Sequence, residues 1–179
     1  MNRSISQQVP ADENPEFWMR AALEQARAGL EEGELPIGAV VVLDGRVLAA
    51  THTRERAEGR LLVHAELLAL EAADHIRPFP GRRRDVRLYT TCEPCLMCLG
   101  AAMSFPLGKV YYGHESPGDG AVELVRQWQR REGDMPGYRV PAAVSGILRD
   151  EALALFEEYV ARHSSGPMWE WARTIAGLR

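Results

Sequence analysis

Thr91-Cys92-Glu93-Pro94-Cys95-Leu96-Met97-Cys98 sets two cysteines three residues apart behind a proline, just after an alternating apolar run. Proline lacks the N–H that a first helical turn leaves unpaired, so this is the junction where a strand over residues 86–90 passes into a helix. Side chains three apart share a helical face, and Cys95 and Cys98 can therefore reach one metal ion together. The helix N-terminus favours their thiolate forms. Upstream, His64-Ala65-Glu66 offers an imidazole and a carboxylate that need not ligate. Three protein ligands (His64, Cys95 and Cys98) with Glu66 as a base describe a catalytic zinc site with one position open. A purely structural zinc site needs a fourth ligand, for which Cys92 is the candidate, but the turn at Pro94 aims it elsewhere. A thioredoxin-like redox pair is the other reading of Cys-x-x-Cys, and the separate His-x-Glu weighs against it.

Outward from these half-motifs the chain alternates. Residues 64–74 carry a wide apolar face and read as a helix with His64 in its first turn. Before it, residues 37–43 are a β-branched run, and Asp44-Gly45 then signals a hairpin into a second strand over 46–51. The polar residues 52–63 read as a loop that rims the site. Asn14-Pro15 opens an earlier helix in which Trp18, Ala22, Ala26 and Leu30 recur on one face. Downstream come a strand over 109–112, a loop over 113–120, a helix over 122–131 and a strand over 140–144. An amphipathic helix bearing Leu153, Leu155, Phe156, Tyr159 and Val160 follows, then a short helix with Trp169 and Trp171. This order implies a three-layer α/β/α domain around a five-stranded mixed sheet. The expected organisation is a loose tail over 1–13, the domain over 14–163, and a last helix over 164–179 packing on the domain or on a dimer partner.

With 179 residues and 46% hydrophobic content, the chain is sized for one domain. A net charge of -4 excludes a generally basic nucleic-acid-binding surface. Lys109 is the single lysine among 21 basic residues, and the arginines read as solvated surface. The early residues lack a signal-peptide core and no run is long enough to span a bilayer, so the expectation is a cytoplasmic protein with no membrane partner.

Further stretches join the two half-motifs: Pro15-Glu16-Phe17-Trp18-Met19-Arg20-Ala21-Ala22-Leu23, Leu35-Pro36-Ile37-Gly38-Ala39-Val40, Gly108-Lys109-Val110-Tyr111-Tyr112-Gly113 and Gly146-Ile147-Leu148. In combination they resemble the cytidine deaminase-like superfamily, nearest to its tRNA-specific adenosine deaminase and guanine deaminase branch. The resemblance implies the five-stranded deaminase fold, one catalytic zinc per subunit, Glu66 as proton shuttle, and a homodimer. A zinc of this kind lowers the pKa of a bound water to about 7. Glu66 would take that proton and return protons to the ring nitrogen and the departing amine. The implied reaction is hydrolytic deamination at an amidine-like ring carbon, giving ammonia and a carbonyl.

Three departures bear on the substrate. Purine-deaminating relatives hold the base with an asparagine ahead of His-x-Glu; the matching position is Thr53, and no asparagine follows Asn14. The loop that is basic in tRNA-acting members reads His114-Glu115-Ser116-Pro117-Gly118-Asp119-Gly120, with Ser116 where an aspartate is expected. Leu61-Leu62-Val63 replaces the usual Asp-Pro-Thr lead into His-x-Glu. Acidic groups beside a phosphate path cost affinity, which disfavours tRNA, although Arg82, Arg83, Arg84, Arg87, Arg126 and Arg130 weigh the other way. The leading expectation is a zinc-dependent deaminase of a small nucleobase, nucleoside or related heterocyclic amine. Deamination of a tRNA wobble adenosine is the alternative, and a non-catalytic zinc-stabilised binding protein is the alternative of another class. Substrate contacts are expected at His52, Thr53, His114, Glu115 and Asp119. Trp169 and Trp171 would either stack on a planar ring or pack the last helix, with packing the favoured reading.

Overall fold

The Asn14 side chain accepts a hydrogen bond from the Phe17 N–H at 3.0 Å and caps α1 (Pro15–Glu31), in a computed structural model that describes residues 14–178. The tail expected over 1–13 lies outside the described residues. Trp18, Met19, Ala22, Leu23, Ala26 and Leu30 are buried along one face of α1, which lays the helix on the sheet. Gly38 is its seat. A Cβ there would stand 2.2 Å from the Ala22 carbonyl oxygen, so only glycine fits.

β1 (Gly38–Leu43) is buried throughout, with Ala39, Val41 and Leu43 turned to one core and Val40 and Val42 to the other. Asp44 and Gly45 have φ of 48° and 71°, the double left-handed turn that joins strands with matching twist, and they lead into β2 (Arg46–His52). The remaining elements are α2 (Glu55–Glu58), α3 (Ala65–Asp74), β3 (Arg87–Cys92), α4 (Leu96–Ser104), β4 (Lys109–His114), α5 (Val122–Arg126), β5 (Ala142–Val144), α6 (Arg149–Arg162) and α7 (Pro167–Ala176). The sheet order is β2-β1-β3-β4-β5, antiparallel among the first three strands and parallel among the last three.

Buried residues of α3, α4 and α5 form one apolar core against the sheet; those of α1, α6 and α7 form a second on the opposite face. This is the three-layer α/β/α arrangement with a five-stranded mixed sheet read from the sequence. Among the described residues, no helix is long and apolar enough to cross a membrane.

Element ends differ from expectation for local reasons. α3 begins at Ala65, leaving His64 as an extended N-cap residue rather than a member of the first turn. α5 stops at Arg126 because the polar run beyond it offers little to bury, and Trp128 instead packs edge-on against Tyr138 at 5.5 Å. β5 starts only at Ala142, since Pro141 has no N–H for a ladder. The expected loop over 52–63 contains the single helical turn α2.

Two helix starts meet at one end of the sheet. Ala39 pairs with Thr51 on one side and Thr90 on the other. The Thr51 hydroxyl donates to the Ala65 carbonyl at 2.7 Å, fixing the start of α3, and β3 runs straight on toward α4.

Candidate metal centre and active-site cavity

His64 is the N-cap of α3, Cys95 is the N-cap of α4, and Cys98 stands in the first turn of α4. Their donor atoms lie within 4.8 Å of one another, and His64 Nδ1 is 3.6 Å from both the Cys95 and the Cys98 Sγ. A tetrahedral zinc with ordinary Zn–S and Zn–N bonds needs an N···S separation of about 3.5 Å. The donor set fits, and the three residues are positioned to hold one zinc ion. Both ligand-bearing helices begin at this cluster, and a helix N-terminus favours anionic groups such as thiolates.

The electrostatics suit a thiolate site. Hydrogen bonding from Cys98, and after it from His64, holds the Cys95 thiol down to about 4. Hydrogen bonding to Cys95, then to Glu55, raises His64 to about 10. Cys98 is pushed up by its contact with the Cys95 thiolate and by burial, so its proton must leave when a metal enters. Glu66 is raised by burial, 3% exposed. Its Oε1 accepts from the Thr90 hydroxyl at 2.8 Å, and its Oε2 lies 3.4 Å from the Cys98 Sγ. Burial thus makes the Glu66 carboxyl a weaker acid than an exposed one, the direction a proton carrier needs.

Beside the metal ligands opens a cavity of about 300 Å³. Leu35 and Ile37 give it an apolar wall, Glu55, Glu93 and Asp119 an acidic one, and Pro167, Met168 and Trp171 of α7 close over it. Cys92 also lines the cavity, buried and raised by that burial; its Sγ is not among the clustered metal donors.

Of the five expected substrate contacts, the fold brings two to the cavity. Thr53 lines it, with its hydroxyl donating to the Val63 carbonyl at 3.2 Å, and Asp119 lines it while bonded to the Ser116 hydroxyl. The other three point elsewhere. His52 ends β2 with its ring against Gly29 of α1 and Nδ1 2.8 Å from the Thr53 carbonyl oxygen. His114 is fully buried, edge-on to Phe156 at 5.0 Å, and burial lowers its pKa. Glu115 is held at about 2 by Arg149, which meets it with two guanidinium nitrogens. Trp169 packs the last helix, donating to the Val160 carbonyl at 3.1 Å, whereas Trp171 reaches the cavity. Glu55 is the residue the sequence reading passed over; it lines the cavity and lies 3.6 Å from His64 Nε2.

The sequence profile of the cytidine and deoxycytidylate deaminase zinc-binding region matches residues 12–114. The tRNA-specific adenosine deaminase of Agrobacterium fabrum is 36% identical over 147 residues, covering 79% of this chain and 91% of the relative. Its namesake in Bacillus subtilis is 34% identical over 136 residues, covering 76% and 82%. Among solved structures, a chain from a study of A-to-I editing by tRNA:A34 deaminases at the wobble position superposes with a TM-score of 0.65 at 35% identity, covering 78% of this chain and 98% of that one. A guanine deaminase from Nitrosomonas europaea superposes with a TM-score of 0.61 at 29% identity, covering 81% and 84%.

Proposed function

The chain belongs to the cytidine and deoxycytidylate deaminase family of zinc-dependent hydrolytic deaminases, and from that membership we propose that it converts adenosine to inosine at the wobble position of tRNA. The observation that carries this reading is the likeness to tRNA-specific adenosine deaminases over nine-tenths of a relative's length, 91% for the Agrobacterium protein. It reverses the order expected from the loops, which favoured a free heterocycle.

In this mechanism His64, Cys95 and Cys98 hold the zinc, which when bound supplies a Lewis acid that activates water at neutral pH. As a metal ligand Cys98 would be a thiolate and would no longer donate to Glu66 Oε2, which would then be open to accept a proton. The Thr90 hydroxyl keeps Oε1 occupied and the carboxylate in place. Glu66 takes the first proton of the attacking water and delivers it to the ring nitrogen, then takes the second from the hydroxyl now on the tetrahedral carbon and passes it to the departing amine as the C–N bond breaks, so that water and the aminopurine become ammonia and the oxopurine. Met168 and Trp171 would cover the flat ring, and Leu35 and Ile37 would flank it.

A second reading has its own support. Glu55, Glu93 and Asp119 line the cavity and, among the described residues, no lysine or arginine does, a lining suited to a free ring that presents N–H groups rather than to a phosphodiester. Guanine or a related free aminopurine is the class this favours. One assay separates the two: inosine formation in an anticodon stem-loop against ammonia release from free bases and nucleosides, at two salt concentrations. Ammonia from a free base with no inosine in the RNA would overturn the tRNA reading. The homodimer implied by the family remains part of the proposal, with Leu96 and Leu124, 56% and 58% exposed beside the groove of Met103, Trp128 and Tyr138, as the face for a second copy.

A further inference from the structure

His64 presents its two ring nitrogens to different neighbours. Nδ1 faces both thiols at 3.6 Å, and Nε2 lies 3.6 Å from Glu55 Oε1. The Glu55 side chain is 16% exposed, so this carboxylate is largely withdrawn from water. Its placement is constructed from a distance. Glu34, 2% exposed, accepts from the Arg56 N–H at 3.0 Å and the Ala57 N–H at 2.6 Å, which fixes the first turn of α2. Gly59 then ends that turn with φ of 61°. A single turn of this length is marginal by itself, and those two bonds add to its own Glu58 N–H to Arg54 carbonyl bond of 3.0 Å.

We infer that Glu55 is a positioning residue for the metal, orienting the His64 ring so that Nδ1 is the ligand and Nε2 carries the proton. A carboxylate at Nε2 fixes the tautomer, restricts rotation of the ring, and makes Nδ1 a stronger donor. Glu55 acts through His64 and takes no part in the chemistry itself. The inference rests on the assignment of His64, Cys95 and Cys98 as metal ligands and is independent of which substrate is used.

Its test is zinc affinity, measured by chelator competition on the full chain at fixed pH, for wild type, Glu55→Gln and, as a control on the same turn, Glu58→Gln. Loss of the outer carboxylate weakens zinc binding by about 10- to 100-fold. Glu58→Gln should leave it unchanged, and metal-free Glu55→Gln should melt with the wild type. Cobalt(II) in Glu55→Gln should keep its thiolate charge-transfer band while its ligand-field bands shift. Wild-type affinity in Glu55→Gln, or equal weakening in both variants, overturns the inference. So does a lowered melting temperature of metal-free Glu55→Gln, which would mark a structural role. A wild-type protein that binds zinc tightly but deaminates nothing would instead remove the functional reading and leave this one standing.

Discussion

Two loops reach the metal centre, and each is fastened by a single carboxylate that accepts two backbone N–H groups. In residues 53–63 the fastener is Glu34, bonded to Arg56 and Ala57. In residues 115–121 it is Glu93, bonded to the Ser116 and Val122 N–H groups at 3.1 Å each. Both loops deliver one further acid to the cavity, Glu55 from the first and Asp119 from the second. The difference lies in what that acid meets. Glu55 faces the outer nitrogen of a metal ligand, while Asp119 is tied to Ser116 within its own loop and faces open cavity. On the proposed reading one loop serves the metal and the other the substrate, although the backbone device is the same.

The harshest way to probe this division is to remove the group both loops surround. Glu66→Gln should lower turnover by about 10²- to 10⁴-fold while zinc content stays at the wild-type level, read by single-turnover kinetics and metal analysis. An active, zinc-loaded variant would take Glu66 out of the proton path. The fasteners come next. Glu34→Ala removes a buried carboxylate and leaves the Arg56 and Ala57 N–H groups without their acceptor, and should cost about 3–5 kcal/mol in denaturant unfolding, with Glu93→Ala costing about 2–3 because the Glu93 carboxylate is less fully buried. Equal losses would erase the distinction between the loops.

Acidity sharpens the comparison further. Cys98 and His64 are both raised, so each releases a proton when the metal binds, and zinc affinity should rise with pH by about tenfold per unit for each proton displaced. A flat profile across neutral pH would mean that the thiols are already ionised. The smallest effect is expected at Asp119. Asp119→Asn should raise KM for a free aminopurine about tenfold, the worth of one charged hydrogen bond, and leave zinc affinity alone. On an RNA substrate the sign reverses, because removing a negative charge near phosphates tightens binding.

Residues that are neighbours in sequence were legible, and those assembled across the fold were not. Cys95, Cys98 and the His64–Glu66 pair announce themselves because their spacing is set by helix geometry within a few positions. The buried β1 and the Asp44-Gly45 turn were equally plain. Glu55 was hidden because α2 is four residues long, shows no periodicity, and depends on Glu34, 22 positions away. His52 and His114 misled for another reason. Histidines at strand ends beside a predicted site look like ligands or substrate contacts, yet each ring turns against a helix on the far layer, His52 on α1 and His114 on α6. Strand parity places His114 with Tyr112, whose ring is in the core of α3, α4 and α5; it lies instead against Phe156 in the other core.

The cavity draws its floor from one layer and its cover from the other: Ala65, Glu66 and Cys95 belong to α3 and the entry to α4, Pro167, Met168 and Trp171 to α7. Elsewhere these two layers are separated by the sheet and share no apolar core. A ring seated between them acts as a rivet across the end of the sandwich, so amide exchange in α7 should slow when substrate is present and quicken when it leaves. The last helix thereby becomes a gauge of occupancy, readable without following the chemistry at all.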